Sequence, residues 1–175
     1  MKDSKKLFIE NEILNLTISG AFRKAKIYKE GINEKVRNNF HKDIKIELEN
    51  LFINNYLNKI VRGEEHFINI RNYQEKISNK YGSILKENKI SYGVSQKLIN
   101  LYLKYKWVLG EIKNKPPHCP LDSQILNIIG FMTGWTNMNG GQYREAINIA
   151  SVKIGGEKKL AEWELNLFNK ENIYY

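Results

Sequence analysis

The sequence predicts an all-α fold, a compact multi-helix domain of six to eight helices that contains a helix-hairpin-helix motif. Apolar residues recur at helical spacing along most of the chain. All three prolines lie between positions 116 and 120, so proline interrupts the helical pattern in one place only. A chain of 175 residues that is 42% hydrophobic and 27% charged has the size and composition of one globular unit. We therefore expect residues 1–175 to form a single helical domain.

Three helices are expected before the segment "KENKISYG", where the helical pattern breaks. Their extents are about 8–29, 31–61 and 65–87. The apolar positions that mark them are Ile13, Leu16 and Ile27 in the first, Ile44, Leu48, Leu51 and Leu57 in the second, and Phe67, Ile70, Ile77 and Leu85 in the third. The alternation of Ile44, Ile46 and Leu48 also suits a short strand, although the longer window favours a helix.

Four further helices are expected in the rest of the chain, at about 94–109, 123–132, 142–152 and 157–169. Their apolar markers include Val94, Leu98, Leu101, Tyr105 and Val108 in the first of them, and Leu160, Trp163 and Leu167 in the last. Gly110 and "NKPP" end the first, and the Gly- and Asn-rich segment "TGWTNMNGG" is a loop. Trp107 and Trp163 fall in helical stretches and are expected in the core.

The net charge of +9 is unevenly distributed along the chain. Residues 71–115 hold 10 Lys and Arg against 3 Asp and Glu, whereas residues 116–175 hold 5 against 6. A clustered basic face attracts phosphate groups and gains affinity by releasing counterions from nucleic acid. The charge therefore favours duplex DNA as a partner, with a solvated, lysine-rich helical surface as the alternative.

Other features of the composition restrict the class of protein. The single cysteine, Cys119, excludes an internal disulfide and an all-cysteine iron–sulfur cluster, which favours a reducing, cytoplasmic location beside the nucleoid. No run of about 18 apolar residues is present, so no membrane partner is expected. We also expect no cofactor and no metal, because His118, Cys119 and Asp122 are closely spaced and lack a second ligand cluster. His41 and His66 stand alone and are expected at the surface.

Residues 77–109 have the organisation of a helix-hairpin-helix motif, in which two helices flank a short turn with glycine. In the turn "ISYGVSQK", Ile90 and Val94 would anchor the hairpin in the core. The backbone amides of Gly93, Ser95 and Gln96 would then point outward to a DNA phosphate, with Val94 between them and Lys89 nearby. An ordinary turn between two packed helices is the alternative.

Lys97 follows this turn and lies near the start of the next helix. An ammonium is disfavoured there, because the helix dipole places its positive end at the N-terminus. A lysine in that position is therefore suited to a lowered pKa, and a neutral amine can attack carbon and form a Schiff base. The alternative is a lysine that points to water or contacts a DNA phosphate.

Asp122 follows the rigid segment "PPHCPL" within the Pro-rich loop and helix expected at 116–130. Its position directly before an apolar run suits a helix N-cap, which accepts amide hydrogen bonds and keeps the carboxylate ionised. An ionised aspartate can also stabilise positive charge on a sugar carbon, or take a proton from an attacking nucleophile. Capping and catalysis are compatible roles for this residue.

The two stretches together resemble the helix-hairpin-helix DNA glycosylase superfamily, of the 8-oxoguanine glycosylase and endonuclease III type. The family signature is a hairpin of the form G-V-G-x-K, followed by a P-V-D segment that opens a helix. Here "GVSQK" supplies Gly93, Val94 and Lys97, and "CPLDSQI" supplies Pro120 and Asp122. The match covers roughly residues 77–130, and a serine replaces the second hairpin glycine.

The resemblance implies a DNA glycosylase, with AP-lyase activity in its bifunctional members, that removes a damaged or modified base. Lys97 would attack C1′ of the sugar, Asp122 would assist, and the Schiff base could undergo β-elimination. The family also flips its target base into a pocket lined by aromatic or amide side chains. The candidates for that pocket are His118, Gln124, Trp135 and Tyr143, with Trp135 best placed in its loop to stack on a base.

Two other functions remain open from the residues. The protein could be a non-catalytic helical DNA-binding module that uses only its hairpin and basic helices. It could also be a small host-defence or phage-encoded interaction protein that makes no contact with DNA. The base removed and the oligomeric state are left open by the sequence.

Overall fold

The computed structural model describes residues 3–172, and its regular structure there is helical apart from one isolated antiparallel bridge. The α-helices in this part of the chain are α1 (Ser4–Phe22), α2 (Glu34–Leu51), α3 (Gly63–Tyr81), α4 (Tyr92–Val108), α5 (Ser123–Ile129), α6 (Gly140–Ile154) and α7 (Leu160–Asn172). α2 continues into a π-helical turn, Phe52–Tyr56. The predicted all-α fold of six to eight helices is therefore confirmed. Among the described residues, no helix is both long and apolar enough to cross a bilayer.

Helix α4 lies at the centre of the molecule, where it contacts α1, α2, α3 and α6. Every residue from Tyr92 to Asn100 is buried, so this half of α4 has no solvent face. A helix that is enclosed on all sides must pair its polar side chains internally, because an unpaired buried polar group costs about 1–3 kcal/mol. The polar residues of α4 are therefore the ones that organise the site described below.

Polar N-caps and glycine C-caps explain where several helices begin and end. Ser91 accepts a hydrogen bond from the Val94 amide at the start of α4, at 3.0 Å. Gly130 and Gly155 adopt left-handed conformations, with φ of 78° and 76°, and end α5 and α6. Glycine takes this conformation without the Cβ penalty that other residues meet.

The start of α6 is fixed by a reciprocal pair of hydrogen bonds. Asn139 Oδ1 accepts from the Gln142 amide at 2.9 Å, and Gln142 Oε1 accepts from the Asn139 amide at 3.0 Å. We expect Asn139→Ala to lower the free energy of unfolding by about 1 kcal/mol, because the Gln142 amide loses its side-chain partner. Urea unfolding measures this loss. Asn148→Ala, at an exposed position inside α6, is the matched control and should be neutral or slightly stabilising.

Two helix boundaries differ from the predicted ones for the same reason. The first helix ends at Phe22 instead of about 29, and the third ends at Tyr81 instead of about 87. The apolar residues Ile27 and Leu85, which suggested longer helices, are buried by loops. Those loops form an antiparallel bridge, so tertiary pairing buries these residues without helical periodicity. The alternative of a strand at 44–48 is wrong, because α2 spans that segment.

The bridge joins the α1–α2 loop to the α3–α4 loop. Lys29 N donates to Ile84 O at 3.0 Å, and Lys86 N donates to Ile27 O at 2.8 Å. The α3–α4 connection covers residues 82–91, so it is longer than the short hairpin turn that was predicted. Gly93 consequently lies in the first turn of α4 and not in the connection.

Candidate active site

Lys97 and Asp122 meet at the surface of the helical core. Lys97 Nζ donates to Asp122 Oδ2 at 2.8 Å, although the residues are 25 positions apart. Lys97 projects from α4 and Asp122 is the N-cap of α5, so the ion pair also joins these two helices. The structure therefore brings the lysine and the aspartate of the resemblance into direct contact.

The Asp122 carboxylate is held by both of its oxygens. Oδ1 accepts from the amides of Gln124 and Ile125 at 3.1 and 3.2 Å, which confirms the N-cap role, while Oδ2 faces Lys97. Burial alone would raise the pKa of this carboxyl group, but the Lys97 ammonium and the two amides outweigh burial and lower it. Asp122 is therefore an oriented, ionised carboxylate at neutral pH.

Gln96 holds the backbone that precedes Asp122. Its side-chain Nε2 donates to Leu121 O at 2.7 Å, and its Oε1 accepts from the Leu121 amide at 3.2 Å. Gln96 is completely buried and sits beside Lys97 on α4. One helix therefore supplies both the amine and the side chain that positions its carboxylate partner.

Lys97 is largely buried, with 8% of its surface exposed. Burial lowers the pKa of its ammonium below the ordinary value, and this effect outweighs the opposing influence of Asp122. The Nζ atom also lies 4.9 Å from the centre of the Trp135 ring, in a cation–π contact. The lowered pKa expected from the helix dipole is therefore present, but its first cause is desolvation.

Two adjoining cavities open around this pair, with volumes of about 140 and 320 Å³. Both are lined by Gly20, Arg23, Lys97 and Asp122. The smaller one also contacts Lys24, Ser123, Gln124 and Trp135, whereas the larger one reaches Leu101, Lys104, Glu164 and Phe168. We call the two together the Lys97 cleft. Two of the predicted base-pocket residues, Gln124 and Trp135, therefore line it, although Trp135 is only 3% exposed.

A second lysine–carboxylate pair lies at the far side of the Lys97 cleft. Lys104 Nζ is 2.9 Å from Oε1 and 2.8 Å from Oε2 of Glu164, and both side chains are nearly buried. Burial raises the pKa of Glu164, in the opposite direction from that of Asp122. Sequence reasoning missed this pair. The seven-residue spacing of Lys97 and Lys104 on one helical face was the available signal, whereas nothing local marked Glu164 on α7.

The other two predicted base-pocket residues, His118 and Tyr143, do not line the cleft. They belong to a buried hydrogen-bond chain whose members, in order, are Tyr56, His66, Asn100, Tyr143, His118 and Glu157. Successive partners lie 2.7, 2.8, 2.9, 3.0 and 2.9 Å apart. His118 and Tyr143 are at most 1% exposed, so the prediction that they contact a flipped base is wrong.

The partners in the buried hydrogen-bond chain assign the histidine tautomers. Asn100 Oδ1 can only accept, so His66 Nε2 donates to it. Asn100 Nδ2 donates to the Tyr143 hydroxyl, which in turn donates to His118 Nδ1, and His118 Nε2 donates to Glu157. With both imidazoles neutral, the form that burial favours, every donor in the chain points toward Glu157. Asn100 Nδ2 also donates to Gln96 Oε1 at 3.0 Å. This bond connects the buried hydrogen-bond chain to Gln96, whose side chain holds the Leu121 backbone.

His66 is a correction, because it was expected at the surface and is instead completely buried. Desolvation lowers the pKa of His66 well below its ordinary value, and His118, 4.8 Å away between ring centres, acts in the same direction. Burial also lowers the pKa of His118. No local pattern indicates this environment, because the partners of His66 come from distant segments.

The predicted phosphate contacts of the hairpin amides are wrong. Gly93 N donates to Met138 O at 2.9 Å, and Ser95 N donates to Ser91 O at 3.1 Å. Ser95 and Gln96 are completely buried, so their backbone does not face solvent. These residues pack α4 against the 135–138 turn and the Leu121 backbone instead.

Val94, Ile90 and Lys89 complete the predicted hairpin. Val94 and Ile90 are at most 1% exposed and anchor this region in the core, as predicted. Val94 exposes almost no surface, although it forms part of the wall of a cavity described below. Lys89 is exposed in the α3–α4 connection, and it is the one predicted DNA-contacting residue that the described structure leaves open to a ligand.

Neither a metal site nor a reactive thiol is assembled around Cys119 in the described part of the chain. In residues 3–172, no group of three or more His, Cys, Asp or Glu side chains is arranged to hold a metal ion. Cys119 is completely buried, and desolvation raises the pKa of its thiol, which disfavours the reactive thiolate.

The arrangement is chemically that of an amine nucleophile with its proton acceptor. A partly desolvated lysine lies in hydrogen-bond contact with an oriented carboxylate, beside an indole ring and at the edge of two open cavities. Comparison of the chain with family models, with curated proteins and with solved structures finds no match. The functional argument therefore depends on the side-chain chemistry of the Lys97 cleft.

Proposed function

We propose that the protein is a DNA glycosylase with AP-lyase activity, which uses Lys97 as nucleophile and Asp122 as proton acceptor. The 2.8 Å contact of these two groups at an open cleft is the observation that carries the proposal. Three further features support it: a lowered Lys97 pKa, an indole ring beside the amine, and positive charge from Arg23 and Lys24 at the rim. An electropositive cleft attracts a phosphate backbone.

The proposed reaction begins when Lys97 passes a proton to Asp122, which leaves a lone pair on Nζ. That lone pair attacks C1′ of the sugar, and the glycosidic bond breaks with its electron pair on the departing base. The base takes the proton held by Asp122. That transfer restores the Asp122 carboxylate. The ring oxygen then leaves C1′ with a second proton from Nζ, which forms a protonated Schiff base. Loss of a C2′ proton to the Asp122 carboxylate, with departure of the 3′ phosphate from this Schiff base, would nick the strand.

Borohydride trapping tests this proposal, because the reagent reduces a Schiff base to a stable covalent adduct. We expect wild-type protein to form an adduct with duplexes that contain an abasic site or a damaged base. Lys97→Gln should form none, and Asp122→Asn should slow adduct formation by about 10²–10⁴-fold, the range for removing a positioned acid or base. Lys106→Gln is the matched control, because Lys106 is also a buried α4 lysine, paired with Glu111 at 2.8 Å.

Circular dichroism of each variant separates a loss of chemistry from a loss of fold. An adduct that persists in folded Lys97→Gln would contradict the role of this amine. If wild type releases a base without forming an adduct, the lyase step fails, and dependence of that release on Asp122 then tests a monofunctional glycosylase. Neither adduct nor base release across a panel of oxidised, alkylated and modified duplexes would overturn the proposal.

A non-catalytic DNA-binding module is the second candidate. The observation that favours it is that the buried Lys97–Asp122 pair also ties α4 to α5, as a purely structural pair would. DNA binding without any adduct or base release, together with lower stability of Lys97→Gln, would favour this function over the enzyme.

A further inference from the structure

A second cavity, of about 240 Å³, lies next to the Lys97 cleft and has a strongly basic lining. Its charged residues are Lys24, Lys26, Lys86, Glu87 and Lys89. We call this cavity the lysine pocket. Four ammonium groups therefore face one carboxylate, and the remaining polar lining comes from Ser91, Thr136 and Asn137.

The isolated bridge between loops explains why these lysines converge. Lys24 and Lys26 belong to the α1–α2 loop, whereas Lys86 and Lys89 belong to the α3–α4 connection. The backbone hydrogen bonds at 2.8 and 3.0 Å hold the two loops side by side. Lys29 reinforces the junction, because its Nζ donates to Asn88 Oδ1 at 2.6 Å and to Ser83 O at 3.0 Å. The fold therefore brings like charges together across two distant segments.

Within residues 3–172, the positive charge of the lysine pocket is balanced only in part, by Glu87 in its lining. All four lysines are exposed, and none of them forms an ion pair with any residue in the described part of the chain. Elsewhere lysines are paired, as Lys76 is with Glu47 and Lys104 is with Glu164. Like charges gathered without counter-charges repel one another, and a bound anion relieves that repulsion.

The lysine pocket and the Lys97 cleft share walls. Lys24 lines both cavities. Trp135 lines the cleft, and the next two residues, Thr136 and Asn137, line the pocket. On α4, Val94 lines the pocket and Lys97 lines the cleft, a separation of about 4.5 Å along the helix axis at 1.5 Å per residue. A strand with a sugar at Lys97 would therefore carry a neighbouring phosphate to the pocket.

We propose that the lysine pocket is a phosphodiester subsite, which holds the backbone phosphate beside the nucleotide whose sugar lies at Lys97. This inference depends on the proposed function, and it supplies the phosphate contact that the buried Gly93, Ser95 and Gln96 amides do not make. Lysine binds phosphate as a point charge and fixes the position of DNA without reading its sequence. Such a subsite would set which nucleotide enters the cleft.

The test combines Lys26→Gln, Lys86→Gln and Lys89→Gln in one variant, which leaves every residue of the Lys97 cleft intact. A triple Lys35→Gln, Lys113→Gln and Lys158→Gln variant removes the same charge from exposed lysines that line none of the cavities described above. The probe is a duplex with a tetrahydrofuran abasic analogue, titrated at several salt concentrations. We expect the pocket variant to bind about tenfold more weakly at low salt, with a salt slope smaller by about one, which corresponds to one lost phosphate contact. The control variant should lose much less.

Equal losses in the two triple variants would overturn the subsite, and so would a failure of wild type to bind the duplex. Inorganic phosphate and a mononucleotide serve as competitors. If either displaces the duplex at micromolar concentration, the site is one for free phosphate compounds and the phosphodiester assignment is wrong. Borohydride trapping separates this inference from the proposed function. A pocket-specific loss of affinity without any wild-type adduct or base release supports the subsite and contradicts the enzyme, whereas an adduct with equal losses does the reverse.

Discussion

Gly93→Ala is expected to lower the free energy of unfolding by about 3 kcal/mol or more. A Cβ atom at this position would lie 1.7 Å from the Trp135 carbonyl oxygen and 2.9 Å from its carbonyl carbon. These are backbone atoms, so the 135–138 turn must move away from α4. That movement would break the 2.9 Å hydrogen bond from Gly93 N to Met138 O and disturb the packing of Trp135 over Lys97. Overpacking and a lost buried hydrogen bond together account for the expected size.

Gly134→Ala is the matched control for this substitution. Gly134 precedes the same turn and has an ordinary φ of −66°. A Cβ atom added at this position would have no neighbouring atom within 4 Å. We expect it to be neutral or to stabilise by a few tenths of a kcal/mol, because alanine restricts the unfolded chain. Urea unfolding of both variants makes the comparison. Wild-type stability of Gly93→Ala with weaker DNA binding would instead favour the phosphate-contact role predicted from sequence.

Local signals were sufficient for most of the fold. Helical periodicity placed all seven described helices, and in α7 the predicted apolar residues Leu160, Trp163 and Leu167 do pack in or against the core. The predicted helix boundaries were wrong where contacts between distant segments bury an apolar residue. Ile27 is buried because its loop pairs with the segment at Leu85, and no property of residues 23–33 alone predicts that pairing.

The sequence predicted the two reactive residues of the candidate site, Lys97 and Asp122, but not the buried side chains that position them. Lys97 and Asp122 could be chosen because a lysine near a helix start and an aspartate after prolines are unusual positions. Gln96 was assigned to DNA, although its side chain clamps the Leu121 backbone inside the core. A buried amide and an exposed amide have the same sequence signature, so burial decides between the two roles.

The buried hydrogen-bond chain links these observations to function. Asn100 contacts both His66 and Gln96, and Gln96 positions the segment that ends in Asp122. The orientation of the candidate carboxylate therefore depends on polar groups that lie far from the cleft. Such networks specify a unique geometry only when every member is satisfied, which the consistent donor direction achieves here.

Acidification is expected to destabilise the fold between about pH 6.5 and 5, before most carboxylates titrate. His66 and His118 have lowered pKa values in the folded state, whereas an unfolded histidine has a pKa of about 6.5. The unfolded chain therefore binds more protons in this range, so stability is complete above the unfolded pKa and falls as the pH decreases toward the folded pKa. Each buried histidine can contribute up to about 1.5 kcal/mol over this range, a large share of the 5–15 kcal/mol typical of a domain.

Urea unfolding at a series of pH values in this window measures the effect, and His66→Gln tests its origin. The variant is expected to be less stable at neutral pH. Its free energy of unfolding should depend less steeply on pH, with a slope that corresponds to about one proton fewer taken up on unfolding, because glutamine does not titrate. His41→Gln is the comparison: half-burial also lowers the pKa of His41, so this variant should reduce the steepness as well, but by less than His66→Gln. Glu157 and Arg144 influence the pKa of His118, and the raised pKa of Glu164 opposes the loss of stability as the pH falls. These groups are the same in wild type and His66→Gln, so the comparison of the two isolates His66. Equal steepness in wild type and His66→Gln would contradict a buried neutral imidazole at the centre of this fold.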